Sequence, residues 1–443
     1  MMVSFNISCL AIPAVSFLVA FLAYSSQYIF LYLEPSPPSK DQLIKFNALV
    51  ACLWICYYRA CTTDPGQVPA GWQPPVAKNA LDTRGAARNN TQYSSYRQRW
   101  CQRCDSFKPP RAHHCKTCQR CIPKMDHHCP WTENCVSHFT LPHFIRFLFY
   151  AVGSMTYLEY LLYPRVVVIW NNRHLPSYLG PSLPQLVHLL LLVVLNSMVL
   201  FALIILLART LWCLGGNTTT IEVWEIERHK TLLRRARMFG GHLEGPGGVR
   251  VRIQKQEFPY DIGIWRNLKS GMGGSANIIG WFWPFASTPC QGSGLEFEVN
   301  GFEESTLSWP PPDPDRMYKP MPRNNYGSGF THEQNYISQS QEVEAFKLRQ
   351  REDFRRQQAA SEVQRRRPFH KRYMQNVGMT DFPDLSESES GENSDSGEEG
   401  WRDSEGDRLR DFGVDEEVEF YDEDNIPLAE LLRRRKSHTR ASM

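Results

Sequence analysis

The sequence predicts an α-helical integral membrane protein with four transmembrane helices and a cysteine-rich loop between the second and the third. Two observations predict the helices: residues 1–33 contain no charged side chain, and residues 186–208 are apolar except for three polar residues. Each run exceeds the roughly 20 residues that cross a bilayer as a helix, the form that satisfies the backbone polar groups internally. The third observation marks the loop: residues 101–135 contain seven cysteines and four histidines.

Two weaker apolar runs complete the four spans. Residues 43–61 carry a basic residue near each end, where long side chains reach the lipid headgroups. Residues 144–169 are predicted as the third span although they contain Glu159 and Arg165. An acidic residue deep in a span also suits a transporter or channel with a regulatory loop. Pairing of Glu159 with Arg165, or exposure of Glu159 near the lumenal face, is the favoured explanation.

Basic residues orient the predicted spans. The loop at 62–142 and the segment after the fourth span are rich in Lys and Arg, whereas the link between the third and fourth spans is not. The positive-inside bias therefore places the cysteine-rich loop and both termini in the cytosol. The predicted segments are 1–61 with the first two spans, 62–142 with the loop and its core at 99–142, and 143–210 with the last two spans. They are followed by a cytosolic C-terminal region at 211–304 and a largely disordered tail at 305–443.

The loop has the composition of a metal centre. Thiols in the cytosol stay reduced, so clustered cysteines there serve more often as metal ligands or catalytic groups than as disulfides. Cys101-x2-Cys104 and Cys115-x2-Cys118 are pairs of the zinc-knuckle kind. Two tetrahedral zinc sites need eight ligands, which six cysteines and two histidines supply. The spacing leaves open whether the sites are sequential or interleaved, and whether His113 or the next residue is a ligand.

This count leaves one cysteine over, and Cys129 is the natural candidate because it follows Asp126 and His127. A nearby positive charge lowers the pKa of a thiol and makes it a nucleophile. His127 is the expected general base, oriented by Asp126. The third span begins about a dozen residues further on, so the thiol should lie near the membrane, where it suits a lipid-derived acyl donor. Alternatively, Cys129 is redundant, or is a ligand with Cys135 idle.

The main alternative to a thiol-based enzyme is a membrane-anchored zinc-binding interaction module, such as a RING-like adaptor. Such a module would use its cysteines as ligands and leave no reactive thiol. After the fourth span, the aromatic stretch at 258–290 suits either a membrane-interface anchor or packing against the helices. From about residue 305 the chain is rich in proline and in charge blocks, which predicts disorder.

These features together resemble the DHHC protein S-acyltransferases, the palmitoyltransferases named for the tetrapeptide found here at 126–129. The likeness extends to other motifs in the family's order. A DPG sequence at 64–66 follows the second predicted span, and TTIE at 219–222 resembles the family's TTxE motif after the fourth. Asn267 and the aromatic residues before it resemble the family's C-terminal region. The resemblance covers roughly residues 10–285.

The resemblance implies two interleaved structural zinc sites, each with three cysteines and one histidine. The implied ligands are Cys101, Cys104, His114 and Cys121 in one site, and Cys115, Cys118, His128 and Cys135 in the other. Asp126, His127 and Cys129 then remain for catalysis, in agreement with the ligand count. The chain departs from the family pattern at Ser137 and Thr140, where the family often has Gly and Asn. Neither residue is an expected ligand or catalytic group.

The activity implied by the resemblance is transfer of palmitate from palmitoyl-CoA, through a thioester on Cys129, to cysteines of membrane-associated proteins. The acyl chain is expected in a cavity between the spans. Within the family, the Ser-His that follows Cys135-Val136 is similar to fungal endoplasmic-reticulum members that acylate chitin synthase. The expected partners are therefore membrane proteins with cytosolic cysteines, chitin synthase among them, and the lipid bilayer, with no nucleic acid. The expected location is the endoplasmic-reticulum membrane.

Overall fold

The computed structural model describes residues 10–73, 99–174, 176, 180–244, 250–301, 309–311, 313–316, 347, 351 and 401–415. The chain forms two units, one of residues 1–318 with 409–443 and one of residues 319–408. In the second unit, Asp403 closes a turn by accepting hydrogen bonds from the Gly406 and Asp407 amides. All helices and strands given below belong to the first unit.

Four long helices form the apolar part of the first unit: α1 (Ala11–Ile29), α2 (Lys40–Thr62), α3 (Leu141–Asn171) and α4 (Leu183–Gly215). A π-helical turn at Phe21–Ser25 interrupts α1. Helix α2 begins with a capping box in which Ser39 and Gln42 exchange hydrogen bonds between side chain and backbone. This exchange satisfies two amides that the first turn of a helix would otherwise leave unpaired.

Three of these helices, α1, α2 and α4, are long and apolar enough to cross a membrane, counted over the described part of the chain. Helix α3 has 31 residues, but it carries Arg146, Glu159 and Arg165 and is not one of the three. The first, second and fourth predicted spans thus correspond to candidate membrane helices. The third predicted span is a helix, and its crossing of the membrane stays a prediction.

The four helices pack around a shared core that includes Phe30, Phe46, Leu158 and Leu192, all nearly inaccessible to solvent. In lipid, helices associate through close packing and interhelical hydrogen bonds. Such a bond joins α4 to α3, where Asn196 Nδ2 donates to Glu159 Oε2 over 2.6 Å. A bond of this kind contributes about 1 kcal/mol.

The expected pairing of Glu159 with Arg165 is wrong. Glu159 accepts hydrogen bonds from Asn196 and, at 3.2 Å, from Ser197 Oγ. Arg165 lies one turn and a half further along α3, donates to the carbonyl of Leu161, and covers the ring of Phe30 at 3.9 Å. Glu159 and Arg165 therefore each have partners within the helix packing other than one another.

Between α2 and α3 the described residues form three antiparallel hairpins of three-residue strands. They are β1 (Arg99–Cys101) with β2 (Ser106–Lys108), β3 (His113–Cys115) with β4 (Arg120–Ile122), and β5 (His127–Cys129) with β6 (Asn134–Val136). The last residue of each turn, Asp105, Gln119 or Glu133, has φ between 49° and 54°. The three turns thus share one left-handed position, and the hairpins are copies of one local structure.

The chain after α4 packs back on the loop and the helix ends. It forms α5 (Thr220–Met238), a hairpin of β7 (His242–Glu244) and β8 (Arg250–Arg252), α6 (Ile264–Gly271) and α7 (Ile278–Phe282). Part of the aromatic stretch packs against the helices, which is one of the two alternatives, and its role as a membrane-interface anchor stays a prediction. Trp281 is buried against Ile145 and Met272, whereas Trp265 and Trp283 are more than half exposed.

The tail predicted as largely disordered, 305–443, lies mostly outside the described residues, but two short described stretches of it are packed in the first unit. Asp313 accepts a hydrogen bond from Arg228 Nε on α5 at 2.8 Å. The segment Leu409–Asp415, which begins with a single 3-10 turn, lies against the hairpins and buries Val414 almost completely.

Candidate active site and metal centres

The hairpins gather thiol and imidazole groups into two clusters. Successive side chains of a strand point to opposite sides, so the neighbours His114 and Cys115 of β3 enter different clusters. The first cluster consists of Cys101, Cys104, His114 and Cys121. The second consists of Cys115, Cys118, His128 and Cys135. The clusters interleave along the chain, and the structure brings together the same two sets of four that the resemblance implies.

The donor atoms of each cluster are spaced as around one tetrahedral ion. His114 Nδ1 lies 3.4, 3.3 and 3.8 Å from the Sγ atoms of Cys101, Cys104 and Cys121. In the second cluster His128 Nδ1 lies 3.7, 3.6 and 3.5 Å from the three sulfurs. Zinc bonds of about 2.0–2.3 Å give tetrahedron edges of roughly 3.5–3.8 Å. Both clusters could hold a metal ion, and both fit zinc.

Strand β5 separates the metal cluster from the other reactive groups. His128 faces the second cluster, so its neighbours His127 and Cys129 lie on the opposite side of the strand. Cys129 belongs to a buried apolar cluster that also contains residues of α2 and α3, including Leu53 and Phe144. A strand of three residues thus presents one side to the metal and the other to the helices.

Asp126 and His127 form a hydrogen-bonded pair fixed by α5. Asp126 Oδ2 lies 2.7 Å from His127 Nδ1, and the ring edge of His127 faces Phe144. The other oxygen, Asp126 Oδ1, accepts from the Thr220 amide at 2.7 Å, and Thr220 Oγ1 donates to the Asp126 carbonyl. The first residue of α5 therefore holds the carboxylate in place, and this oriented carboxylate fixes the tautomer and direction of the imidazole.

The Cys129 thiol is buried and hydrogen-bonded to His127. Burial raises the pKa of this thiol, but the hydrogen bond and charge of His127, with help from Thr132, outweigh burial and leave the pKa below its ordinary value. For His127, burial lowers the pKa, and the bonds to Asp126 and Cys129 raise it to about 9. Both shifts favour the thiolate and imidazolium forms, which together constitute an activated nucleophile.

A buried ion pair joins the loop to α5. Arg111 Nε and Nη2 each lie 2.6 Å from an oxygen of Glu222, and the two side chains are 1% and 2% exposed. Arg111 also donates to the Asn217 carbonyl, and its guanidinium lies 4.5 Å from the centre of the Tyr260 ring. Glu222 in turn accepts from the Thr219 amide at 2.8 Å. The pair holds the start of α5 beside the hairpins, where Thr220 meets Asp126.

The end of α2 is tied to the same loop. Gly66 has φ of +84°, and a Cβ there would lie 2.5 Å from Phe139 Cε2. Ser137 Oγ donates to the Pro65 carbonyl at 2.8 Å, and Thr140 Oγ1 donates to the Cys135 carbonyl at 2.7 Å. The two residues that depart from the family pattern therefore have defined bonding roles at the start of α3.

Asn267 makes a similar tie between α6 and α4. Its Nδ2 donates to the Gly215 carbonyl at 2.7 Å and to Asp261 Oδ1, and its Oδ1 accepts from the Ile262 amide. The side chain is fully buried. Asn267 thus connects the last turn of α4 to the C-terminal region.

A pocket of about 230 Å³ opens beside the Asp126–His127 pair. Its lining includes Lys124, Arg209, Asp126, His127, Thr220, Asp411 and Phe412. Lys124 is buried, and burial together with the charge of Arg111 lowers its pKa to about 7. The predicted acyl cavity between the spans stays a prediction.

Comparison with known proteins identifies the family. Residues 94–227 match the model of the DHHC palmitoyltransferase family. The chain is 59% identical over 436 residues to Palmitoyltransferase pfa4 of Emericella nidulans, covering 98% of this chain and 97% of that protein. It is 58% identical over 438 residues to Palmitoyltransferase pfa4 of Aspergillus fumigatus, covering 98% and 99%. A relative of the same name in Gibberella zeae is 41% identical, covering 96% and 95%.

The chain belongs to the DHHC palmitoyltransferase family. Its activity class is protein S-acyl transfer, and it is a membrane protein with a metal-binding cysteine cluster. This confirms the predicted activity class over the alternative of a zinc-binding interaction module without acyltransferase activity.

The structure places Asp126, His127 and Cys129 in one site, and their individual roles stay predictions. Sequence reasoning missed the partners that fix this site. The TTIE motif contains Thr220 but does not indicate its bond to Asp126, and no sequence pattern predicts a role for Arg111 or Thr132. A buried guanidinium needs an acidic partner. The presence of Arg111 in the metal-binding loop was therefore the available signal that it pairs with an acid.

Proposed function

We propose that the protein transfers palmitate from palmitoyl-CoA to cysteines of membrane-associated proteins by way of a thioester on Cys129. In the first step the Cys129 thiolate attacks the thioester carbonyl. The bond from the carbonyl carbon to the CoA sulfur breaks, and the CoA thiolate takes a proton from His127. In the second step His127 accepts the proton of the acceptor cysteine. That thiolate attacks the acyl group, and Cys129 leaves as thiolate.

The observation that carries this proposal is the position of the Cys129 thiol. It is hydrogen-bonded to His127 and belongs to a buried apolar cluster that includes residues of α2 and α3. A thioester carbonyl at this point would place its acyl chain toward the helices. The position favours an apolar acyl group, because withdrawing each CH₂ from apolar surroundings costs about 0.8 kcal/mol.

Asp126 and the two metal clusters have supporting roles in the proposal. Asp126 holds Nδ1 of His127 and so leaves Nε2 for the thiol. Zinc bound at the eight ligands would hold the hairpins in register and neutralise the clustered thiolates. The ligands and the nucleophile are then separate groups, in line with the count of one spare cysteine.

Incubation of the purified full chain with labelled palmitoyl-CoA tests the nucleophile. Cys129→Ser should abolish hydroxylamine-sensitive labelling and leave the zinc content unchanged. Cys290→Ser is the matched control, because Cys290 is an exposed free cysteine far along the chain and its loss should leave labelling intact. Loss of zinc in Cys129→Ser would instead make Cys129 a ligand, and undiminished labelling would place the acyl group on another residue.

We further propose that the protein resides in the endoplasmic-reticulum membrane with both termini in the cytosol, crosses it four times, and acts on chitin synthase. The basic loop and the similarity to fungal endoplasmic-reticulum members support this. Protease protection of tags at each terminus in sealed microsomes tests the topology: both tags should be cleaved without detergent. Acyl exchange on chitin synthase from cells lacking the protein tests the substrate, and unchanged acylation would refute it.

A further inference from the structure

Besides pairing with β4, strand β3 forms an isolated β-bridge with a segment near the end of the described chain. Val414 forms an antiparallel bridge with Cys115. The Lys116 amide donates to the Gly413 carbonyl at 2.9 Å, and the Asp415 amide donates to the His114 carbonyl at 3.0 Å. An exposed strand edge presents unpaired N–H and C=O groups that an extended peptide can satisfy. Here the peptide comes from the same chain, almost 300 residues after the strand that it joins.

The side chains of Leu409–Asp415 fit this surface. Leu409, Val414 and Phe412 are buried at 2%, 1% and 8% exposure. Asp415 Oδ2 lies 2.9 Å from Arg103 Nε in the turn of the first hairpin, and the Asp415 side chain is 4% exposed. The segment therefore combines backbone pairing, apolar burial and one ion pair.

Gly413 brings the segment close to the metal-binding strand β5. Its φ is +80°, and a Cβ at this position would lie 2.6 Å from His128 Cβ and 3.5 Å from the His128 amide nitrogen. Only glycine adopts this conformation and this approach without strain. The contact places the segment directly behind the strand that carries His127 and Cys129.

The next residues toward the N-terminus reach the pocket beside His127. Asp411 and Phe412 line this pocket together with Lys124 and Arg209. Asp411 thus places a carboxylate in a pocket that also contains two basic side chains. An anionic ligand drawn to those side chains would meet Asp411 and Phe412 at the same place.

From this arrangement we infer that the β3 edge is a peptide-docking surface whose occupant is Leu409–Asp415 of the same chain. The docked segment competes with the anionic portion of the acyl-CoA donor for the pocket beside His127. The inference rests on the proposed use of an acyl-CoA. The docked state is closed and the undocked state open, so the apparent KM for the donor equals its intrinsic value divided by the open fraction. Release of the segment should lower the apparent KM and leave kcat unchanged.

Charge reversal at the ion pair tests both parts of the inference on the full chain in detergent. Asp415→Arg faces Arg103 with a like charge and should raise the open fraction about tenfold. Hydrogen exchange measured by mass spectrometry should then speed up about tenfold in peptides that contain Lys116 and residues 412–415. The apparent KM for palmitoyl-CoA in acyl-enzyme formation should fall by up to the same factor. Arg103→Asp combined with Asp415→Arg should restore both values.

Glu257→Arg is the matched control, because it makes the same charge change on an exposed side chain elsewhere in the first unit and should alter neither value. Unchanged hydrogen exchange in Asp415→Arg would show that the segment does not dock. Faster exchange with an unchanged KM for the donor would overturn the competition, whether or not transfer to an acceptor protein rises. Loss of zinc in this variant would make the segment a support of the metal centre instead. Hydrogen exchange does not depend on activity, so a wild-type chain that forms no acyl-enzyme would refute the proposed function separately.

Discussion

Replacement of Glu222 by Gln should strongly destabilise the packing of α5 on the hairpins. The substitution keeps the size and hydrogen-bonding groups of the side chain but removes its charge. Arg111 would then stay buried, 1% exposed, without its acid and with Lys124 nearby. Removing one partner of a buried ion pair costs about 3–5 kcal/mol, because the remaining charge is uncompensated.

A thermal shift converts this cost into a measurement. For a domain of roughly 150–250 residues, each kcal/mol lowers the Tm by about 2–4 °C. Glu222→Gln should therefore lower the Tm of the detergent-purified protein by about 6–20 °C. The rate of acyl-enzyme formation should fall as well, since the Thr220 amide that holds Asp126 belongs to the same helix start.

The double variant Arg111→Met with Glu222→Leu separates the charge from the packing. Well-packed apolar side chains replace a buried pair at little cost, so the double variant should melt above Glu222→Gln. A loss of less than 2 °C in Glu222→Gln would refute the reasoning. Equal or greater loss in the double variant would show that shape and not the uncompensated charge dominates.

Three further predictions concern the site itself. Asp126→Asn removes a group that raises the pKa of His127, so the imidazolium should be lost at lower pH and the Cys129 pKa should rise. The pH profile of iodoacetamide modification of Cys129 should therefore move to higher pH. An unmoved profile would contradict the pairing of Asp126 with His127. Cys118→Ser removes one of the four donors of the second cluster and should reduce the bound zinc, measured by elemental analysis, from two ions to one per chain. Retention of both ions would exclude Cys118 as a ligand. Gly66→Ala places a Cβ against Phe139 at a positive φ and should lower the free energy of unfolding by about 1–3 kcal/mol. In the control Gly71→Ala the added Cβ meets no atom within 4 Å, so the Tm should stay unchanged. Equal losses of Tm in the two variants would contradict the packing argument.

Local patterns in the sequence indicated a metal-binding loop with one spare cysteine, and the resemblance to the family supplied the division of the ligands into two sets. Cys-x2-Cys pairs and the 126–129 motif are short-range signals, because the ligands of one hairpin lie within a few residues of each other. The apolar run at 186–208 likewise identifies α4 from its length and composition alone. The threefold repetition of the hairpins was not predicted, because each turn has a different sequence and shares only its backbone conformation.

Contacts between residues that are far apart in the sequence could not be predicted from it. Arg111 and Glu222 are separated by 111 residues, and no spacing rule connects a turn residue of one segment with a capping residue of another. The same holds for Glu159, whose partner is Asn196 and not the nearer Arg165. The segment Leu409–Asp415 follows a long charged region, so its few apolar residues gave no sign of a binding surface.

Strand β5 makes the register of one short hairpin decisive for chemistry. Because its side chains alternate, a slip of one residue would turn His128 away from the metal cluster and carry His127 and Cys129 into it. His128 and Cys135 pair across the hairpin, so a metal ion bound by both would oppose such a slip. A bound metal would then determine which histidine acts as a base without touching the reacting atoms, and an insertion of one residue within this strand would exchange a ligand for a nucleophile.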